Sequence, residues 1–193
     1  MTERVRREIE LLESYNKQGE SYSDGKGRYG WRNPIRGDTG GLLQALVVAA
    51  DPSRILEIGT AHGLSALYLI SGARSGTTMD TIEFDADVAV ETQQRMDACN
   101  MPVNVCCGEA LEVIEGLEGR YDLVFFDAQK NQYKPQLEKL LERGLAGSGT
   151  LLLADNVIDR AEECAEFLRW FIDRDIPHHI IGTECGLLVA KLP

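Results

Sequence analysis

Residues 54–70, RILEIGTAHGLSALYLI, decide the fold. Arg54 to Gly59 form a short apolar run of strand character, small residues follow, and Leu64, Leu67, Tyr68 and Ile70 then recur at helical spacing. This is a strand, a tight loop and a helix. Gly59 and Gly63 let the backbone approach a ligand closely and leave the first helical amides free to donate hydrogen bonds. Their spacing is G-x-x-x-G, so the dinucleotide fingerprint G-x-G-x-x-G is absent. The next apolar run, TMDTIEFD at 78–85, carries Glu83 near its end, 24 residues beyond Gly59. An acid roughly 20 residues past such a loop typically accepts hydrogen bonds from ribose hydroxyls. The expected ligand is an adenosine derivative.

Outward from this unit the chain alternates strand and helix. A helix over 39–50 precedes Pro52, and strands follow at about 54–59, 78–84, 103–107, 121–127 and 150–155. Such alternation forces right-handed crossovers and a parallel sheet covered on both faces. After an amphipathic helix at 161–173, HHIIGT and GLLVAKL form two strands joined by a few residues, a connection short enough to require antiparallel pairing. The fold class is α/β, doubly wound and mostly parallel with one reversed strand. No internal repeat, low-complexity tract or linker follows residue 40.

Two of these strands end in oxygen-bearing side chains. YDLVFFD closes on Asp127, with Lys130 three residues on, and TLLLADN closes on Asp155 and Asn156. Neighbouring parallel strands bring these groups to one rim, where open sheets bind ligands. Two carboxylates and an amide are hard donors, suited to Mg2+, Mn2+ or Ca2+ rather than zinc. The alternative is that each acid caps a helix or turn.

At 193 residues and 44% hydrophobic content, the chain suits one well-buried domain over 1–193, with 1–40 a helical or flexible N-terminal cap or lid. MTERVRREIELLESY is too charged for a signal peptide, and GLLQALVVAA is too short to span a bilayer. A soluble, cytoplasmic protein without membrane contact is expected. Five cysteines lack a C-x-x-C pair, which argues for reduced and mostly buried side chains. The net charge of −11 disfavours bulk nucleic-acid binding. One segment departs from it: Lys26, Arg28, Arg32 and Arg36, with Tyr29 and Trp31, form either a solvated loop or a lid over an anionic or aromatic substrate.

Together ILEIGTAHGLSA, TIEFD, CGEALEVI, YDLVFFDAQKNQY and LLLADNV resemble the metal-dependent O-methyltransferases typified by the catechol and caffeoyl-CoA enzymes. The resemblance covers about two thirds of the chain, from near residue 38 to residue 158. It implies a seven-stranded Rossmann-like methyltransferase sheet of order 3-2-1-4-5-7-6 and S-adenosyl-L-methionine as cofactor. It also implies Asp127, Asp155 and Asn156 as metal ligands and Lys130 as the base. Glu57, Gly59, Thr60, Ala61, His62 and Gly63 would line the methionine end, with Ser65 near its carboxylate, where a helix N-terminus favours an anion. Glu83 would hold the ribose and Phe84 would pack on the adenine. Gly108, Glu109 and Ala110 would border the base, and Asp127 would adjoin the cofactor as well as the metal.

Simpler readings stand beside these roles. A lysine is protonated at neutral pH unless a nearby cation and burial depress its pKa, so Lys130 is alternatively a surface residue at a helix start. Glu57 alternatively ties down the loop beside it. His62, His178 and His179 read as packing or surface residues. Gln129 stands where many caffeoyl-CoA-type members have a second acid, and no insertion for gripping a coenzyme A ester is evident. A small free phenol is therefore the expected acceptor, and a homodimer the expected assembly. The alternatives are a methyltransferase acting on a modified nucleoside in RNA and a non-catalytic S-adenosylmethionine-binding protein.

Overall fold

The computed structural model describes residues 1–17, 35 and 37–193. Lys26, Arg28, Tyr29, Trp31, Arg32 and Arg36 lie outside them, and so does the lid expected of that segment. Two helices come first, α1 (Glu3–Lys17) and α2 (Gly37–Ala50). The alternating series follows: β1 (Arg54–Ile58), α3 (Leu64–Gly72), β2 (Thr78–Glu83), α4 (Ala86–Ala98), β3 (Val103–Cys107), α5 (Ala110–Gly116) and β4 (Leu123–Phe126). A 3-10 turn at Lys130–Gln132 leads into α6 (Tyr133–Glu142), then β5 (Leu151–Ala154), α7 (Ala161–Ile172), β6 (His178–Ile181) and β7 (Leu187–Lys191).

The strands form one seven-stranded sheet in the order β3-β2-β1-β4-β5-β7-β6. Five are parallel, and β7 runs antiparallel to both β5 and β6. The order inferred from the resemblance is the order observed. Strands buried on both faces read as continuous apolar runs because either side of the pleat meets a helix layer. Leu56, Ile58, Val124, Phe126, Leu152 and Ala154 pack with Leu137, Leu140, Phe167 and Phe171 of α6 and α7. The alternate residues Ile55, Leu123, Phe125 and Leu153 pack with Leu43, Val47, Leu64 and Leu67 of α2 and α3. Helix α1 joins this second layer through Val5, Ile9 and Leu12, whose spacing of four and three places them on one stripe.

Strand order reverses between β1 and β4, the centre of the sheet. The helices that follow these two strands, α3 and α6, pack on opposite faces of the sheet, and the carboxyl ends between them are where such sheets form a ligand crevice. Among the described residues, no helix is long and apolar enough to cross a membrane. All five cysteines are free thiols: Cys99, Cys164 and Cys185 are buried, Cys106 is half-buried and Cys107 is exposed at the end of β3.

Candidate active site at the carboxyl edge of the sheet

The loop after β1 is built by its glycines and by its neighbours. Gly59 has φ +96, and a Cβ there would lie 2.7 Å from the Ala128 amide nitrogen, so the β1 and β4 loops touch backbone to backbone. Gly63, at φ 82, precedes α3 without any side-chain cap, leaving the helix N-terminus to its own amides. Ala61 also adopts a positive φ, 45°, which a non-glycine residue holds only where its surroundings over-determine it. Here they do. The Ala61 amide donates to Glu83 Oε2 at 2.9 Å, and its carbonyl accepts from Thr92 Oγ1 at 2.7 Å. The next carbonyl, that of His62, accepts from Arg95 Nη1 at 2.9 Å.

Glu83 thus anchors the loop as well as standing at the predicted ribose position. Its other oxygen, Oε1, accepts from the Asp85 amide at 3.1 Å. Each carboxylate oxygen has a second lone pair, so these bonds leave acceptor capacity for a ligand. Phe84 beside it is 66% exposed, an apolar face presented at the mouth of the crevice. Across β2, Gly108 donates its amide to the Glu83 carbonyl at 2.9 Å, and Glu109 and Ala110 begin α5. With Asp127 after β4, the residues assigned to the cofactor therefore line the ends of four adjacent strands.

Glu57 lies deeper, fully buried within β1. The Thr81 hydroxyl donates to its Oε2, while Oε1 is buried without a hydrogen bond. Burial pushes its pKa from 4.5 up to about 7, against the lowering effect of the Ser65, Thr81 and Thr60 hydroxyls; Asp127 adds a smaller push upward. Glu57 thus meets the loop through Thr60 and Ser65, and Glu83 shares the loop-tying role considered for it. Because the folded pKa lies above the unfolded one, the folded state holds more protons between pH 4.5 and about 7, and stability is lost as pH rises through that window. Glu57→Gln removes the loss. Its unfolding free energy relative to the parent chain should rise by roughly 3 kcal/mol between pH 4 and pH 8, measured by urea denaturation. A constant difference across that range would mean that folding leaves the Glu57 pKa at its ordinary value.

The second half of the site follows β4 and β5. Asp127 donates its amide to the Ile58 carbonyl at 2.9 Å, which places the residue against the β1 loop. Its Oδ1 accepts from Lys130 Nζ at 2.9 Å, and Lys130 is only 14% exposed in its side chain. Lys130 is thus not a surface lysine. Its ammonium also lies 5.5 Å from the centroid of the Tyr133 ring. Tyr133 is fully buried against Phe126 and Phe167 and donates its hydroxyl to the Asp155 carbonyl at 3.2 Å. The spacing between Lys130 and Tyr133 therefore joins the β4 loop to the β5 loop.

Asp155 is buried, and its Oδ1 has no hydrogen-bond partner. Burial, and then the Asp127 charge, raises its pKa to about 7. Asp127 is raised by burial too, against the pull of Lys130. Neither acid caps a helix: the residue capping the 3-10 turn is Gln129, and the one capping α7 is Arg160. Asn156 has φ 65, a left-handed conformation that Asn tolerates, and its Nδ2 donates to Asp159 at 3.1 and 3.2 Å. Among the described residues no three His, Cys, Asp or Glu side chains gather as a metal centre. The set at the crevice is two carboxylates and an amide.

Three residues that hold this arrangement, Thr92, Arg95 and Tyr133, carry no role in the sequence analysis. Thr92 and Arg95 are three apart on α4, a spacing that puts them on one face without revealing what that face meets. His178 and His179 lie on β6, away from the crevice, with His178 Nδ1 2.8 Å from the Ile176 carbonyl oxygen. His62 is buried within the β1 loop.

A family model described as O-methyltransferase matches residues 28–165. The catechol O-methyltransferase of Mus musculus is 33% identical over 135 residues, covering 66% of this chain and 51% of that protein. That of Bos taurus is 33% identical over 147 residues, covering 72% of this chain and 54% of that protein. The chain thus spans about half the length of these curated relatives. Among solved structures, an O-methyltransferase from Bacillus cereus in complex with SAH superposes with a TM-score of 0.79 at 23% identity, covering 100% of this chain and 92% of that one. An SAH-bound methyltransferase of Podospora anserina gives 0.79 at 19% identity, with 100% and 89% covered. With its sheet order, its crevice and the matched family model, this chain belongs to the O-methyltransferase family.

Proposed function

We propose that the protein transfers the methyl group of S-adenosylmethionine to a hydroxyl of a small catechol-like aromatic, with a divalent cation at Asp127, Asp155 and Asn156 and Lys130 as base. The observation that carries the metal reading is the buried Asp155 Oδ1, which lacks a hydrogen bond, in a carboxylate whose pKa burial and the Asp127 charge both raise. Two acids burdened in this way gain from a cation, and their oxygens, with the Asn156 amide, make the hard donor set that Mg2+ prefers. Such a cation, when bound, would lower the pKa of an acceptor hydroxyl and fix its direction.

The remaining work falls to the chain's own groups. The methyl of a sulfonium is already activated, so the protein has to hold the acceptor oxygen in line with it and remove a proton. Lys130 Nζ, 2.9 Å from Asp127 Oδ1 and screened from solvent beside the Tyr133 ring, is the group we assign to take that proton, in the neutral form it would reach once a cation engages Asp127. The 59–63 loop, Glu83 and Phe84 are arranged to seat the cofactor on the β1 side of the crevice, with the acceptor on the β4 and β5 side. The catechol O-methyltransferase relatives support the choice of acceptor.

Methyl-labelled S-adenosylmethionine incubated with a panel of catechols tests this reading. Label should pass to a catechol with Mg2+ and fail to do so with EDTA. Lys130→Ala should lower turnover about 10²- to 10⁴-fold with cofactor affinity retained. Unchanged turnover in that variant would remove Lys130 from the chemistry, and transfer undiminished by EDTA would remove the cation.

A further inference from the structure

We infer that Arg95 is a positioning residue that couples cofactor binding in the 59–63 loop to the docking of the N-terminal helix α1. The inference rests on the reading above for where the cofactor sits.

The guanidinium reaches in two directions. Nη1 donates to the His62 carbonyl at 2.9 Å, and Nε lies 3.5 Å from Glu8 Oε2 on α1. Arginine suits this task because its donors are spread over a rigid planar fork, whereas lysine offers a single point. Both side chains are partly withdrawn from water, at 19% exposure for Arg95 and 30% for Glu8, which reduces screening of the pair.

The loop end of this relay matters for a ligand. In a trans peptide the C=O and the following N–H point in opposite directions, so fixing a carbonyl also aims the next amide. Thr92 fixes the Ala61 carbonyl and Arg95 fixes the His62 carbonyl. Together they orient the amides of His62 and Gly63, and the Gly63 amide is spent closing the turn on the Thr60 carbonyl at 2.8 Å. The clamp therefore acts on a ligand through the shape of the loop that enters α3, a place where an anionic group is favoured. The positive φ of Ala61 depends on the same contacts.

The other end is the N-terminal helix. Helix α1 is seated by Val5, Ile9 and Leu12, and Glu13 accepts a hydrogen bond from the Tyr68 hydroxyl on α3. Docking of α1 completes the Arg95 clamp, and a filled loop stabilises the geometry that the clamp needs. Linkage makes the effect reciprocal: a docked α1 raises cofactor affinity by the factor with which cofactor favours docking.

Amide hydrogen exchange and cofactor titration decide the matter, with S-adenosylmethionine as the probe and Glu8→Gln, Arg95→Met and the double variant beside the parent chain. In the parent, cofactor should slow exchange both in the 59–63 loop and in residues 5–14. In Arg95→Met the α1 protection should vanish and Kd should rise about tenfold. Glu8→Gln, which leaves every loop contact in place, should move both readouts in the same direction. The double variant should bind no more weakly than Arg95→Met, since one relay is broken in each. Protection of the loop without any change in α1 would overturn the coupling and leave the cofactor site standing. Cofactor binding that protects neither segment would overturn the site, and the coupling with it. Should Arg95→Met fail to fold, Glu8→Gln alone decides between these outcomes.

Discussion

Asp155→Asn should reduce metal-dependent methyl transfer by about 10³-fold, the loss of several kcal/mol expected when a cation site forfeits a charged ligand. The same substitution should stabilise the cation-free protein at neutral and alkaline pH. Asp155 titrates near 7 in the folded chain against an ordinary value of 3.8, so the folded state binds more protons over that interval. Stability is therefore fully present below the unfolded pKa and is lost as pH rises through the folded one. An amide at this position carries no such loss. Denaturation in EDTA at pH 3 and pH 8 should show little advantage for the variant at the lower pH and an advantage of a few kcal/mol at the higher. The two effects have opposite signs because a buried carboxylate with one oxygen unpaired is costly to fold and useful to a cation. A variant less stable at pH 8 than the parent would mean that Asp155 is a structural anchor, and the metal reading would fall with it.

The second large effect is expected at Gly59. Alanine there has to hold φ +96 with its Cβ 2.7 Å from the Ala128 nitrogen and 2.8 Å from the Asp127 carbonyl carbon, both backbone atoms without a rotamer to yield. Gly59→Ala should cost about 2–3 kcal/mol of folding free energy. For a chain of this size that corresponds to a Tm lower by about 5–10 °C. Gly76 supplies the control, since it has a similar φ of +91 and a methyl group added there would meet nothing within 4 Å. Gly76→Ala should carry the backbone penalty alone, roughly 1 kcal/mol. Equal losses at the two positions would show that the contact between the β1 and β4 loops is slack. A larger loss at Gly59, accompanied by weaker cofactor binding, is the expected result, because the displaced backbone carries Asp127.

Much of this architecture is legible in the chain. The apolar runs of β1, β2, β4 and β5 stand within one or two residues of their structural limits, since hydrophobic pattern reports burial directly and strand ends only loosely. Asp127, Lys130, Asp155 and Asn156 are readable as one rim because parallel strands in register bring their carboxyl ends together. The clamp on the 59–63 loop is not readable. Thr92 and Arg95 sit on a helix whose pattern identifies its buried face without naming the backbone that the face meets. The division of labour between Glu57 and Glu83 is hidden for a related reason. Both are acids at strand ends, and only the tertiary packing decides that Glu83 meets the Ala61 amide while Glu57 is enclosed with an oxygen unpaired. Lys130 admits a surface reading in one dimension, and only the fold brings the Tyr133 ring and the Asp127 carboxylate over it.

The reversed strand has a consequence for synthesis on the ribosome. Strand β7 lies between β5 and β6 in the sheet but follows both in the chain. As the nascent protein emerges, β6 has no neighbour to join, and the far side of β5 stays open until residues 187–191 arrive to fill the gap. An open strand edge invites pairing with another chain, so the interval between β5 and β7 is one in which the nascent chain is exposed to misassembly. From the end of β5 at Ala154 to the start of β7 at Leu187 the chain grows by 33 residues (187 minus 154). At about 5–20 residues per second, that interval lasts on the order of a few seconds.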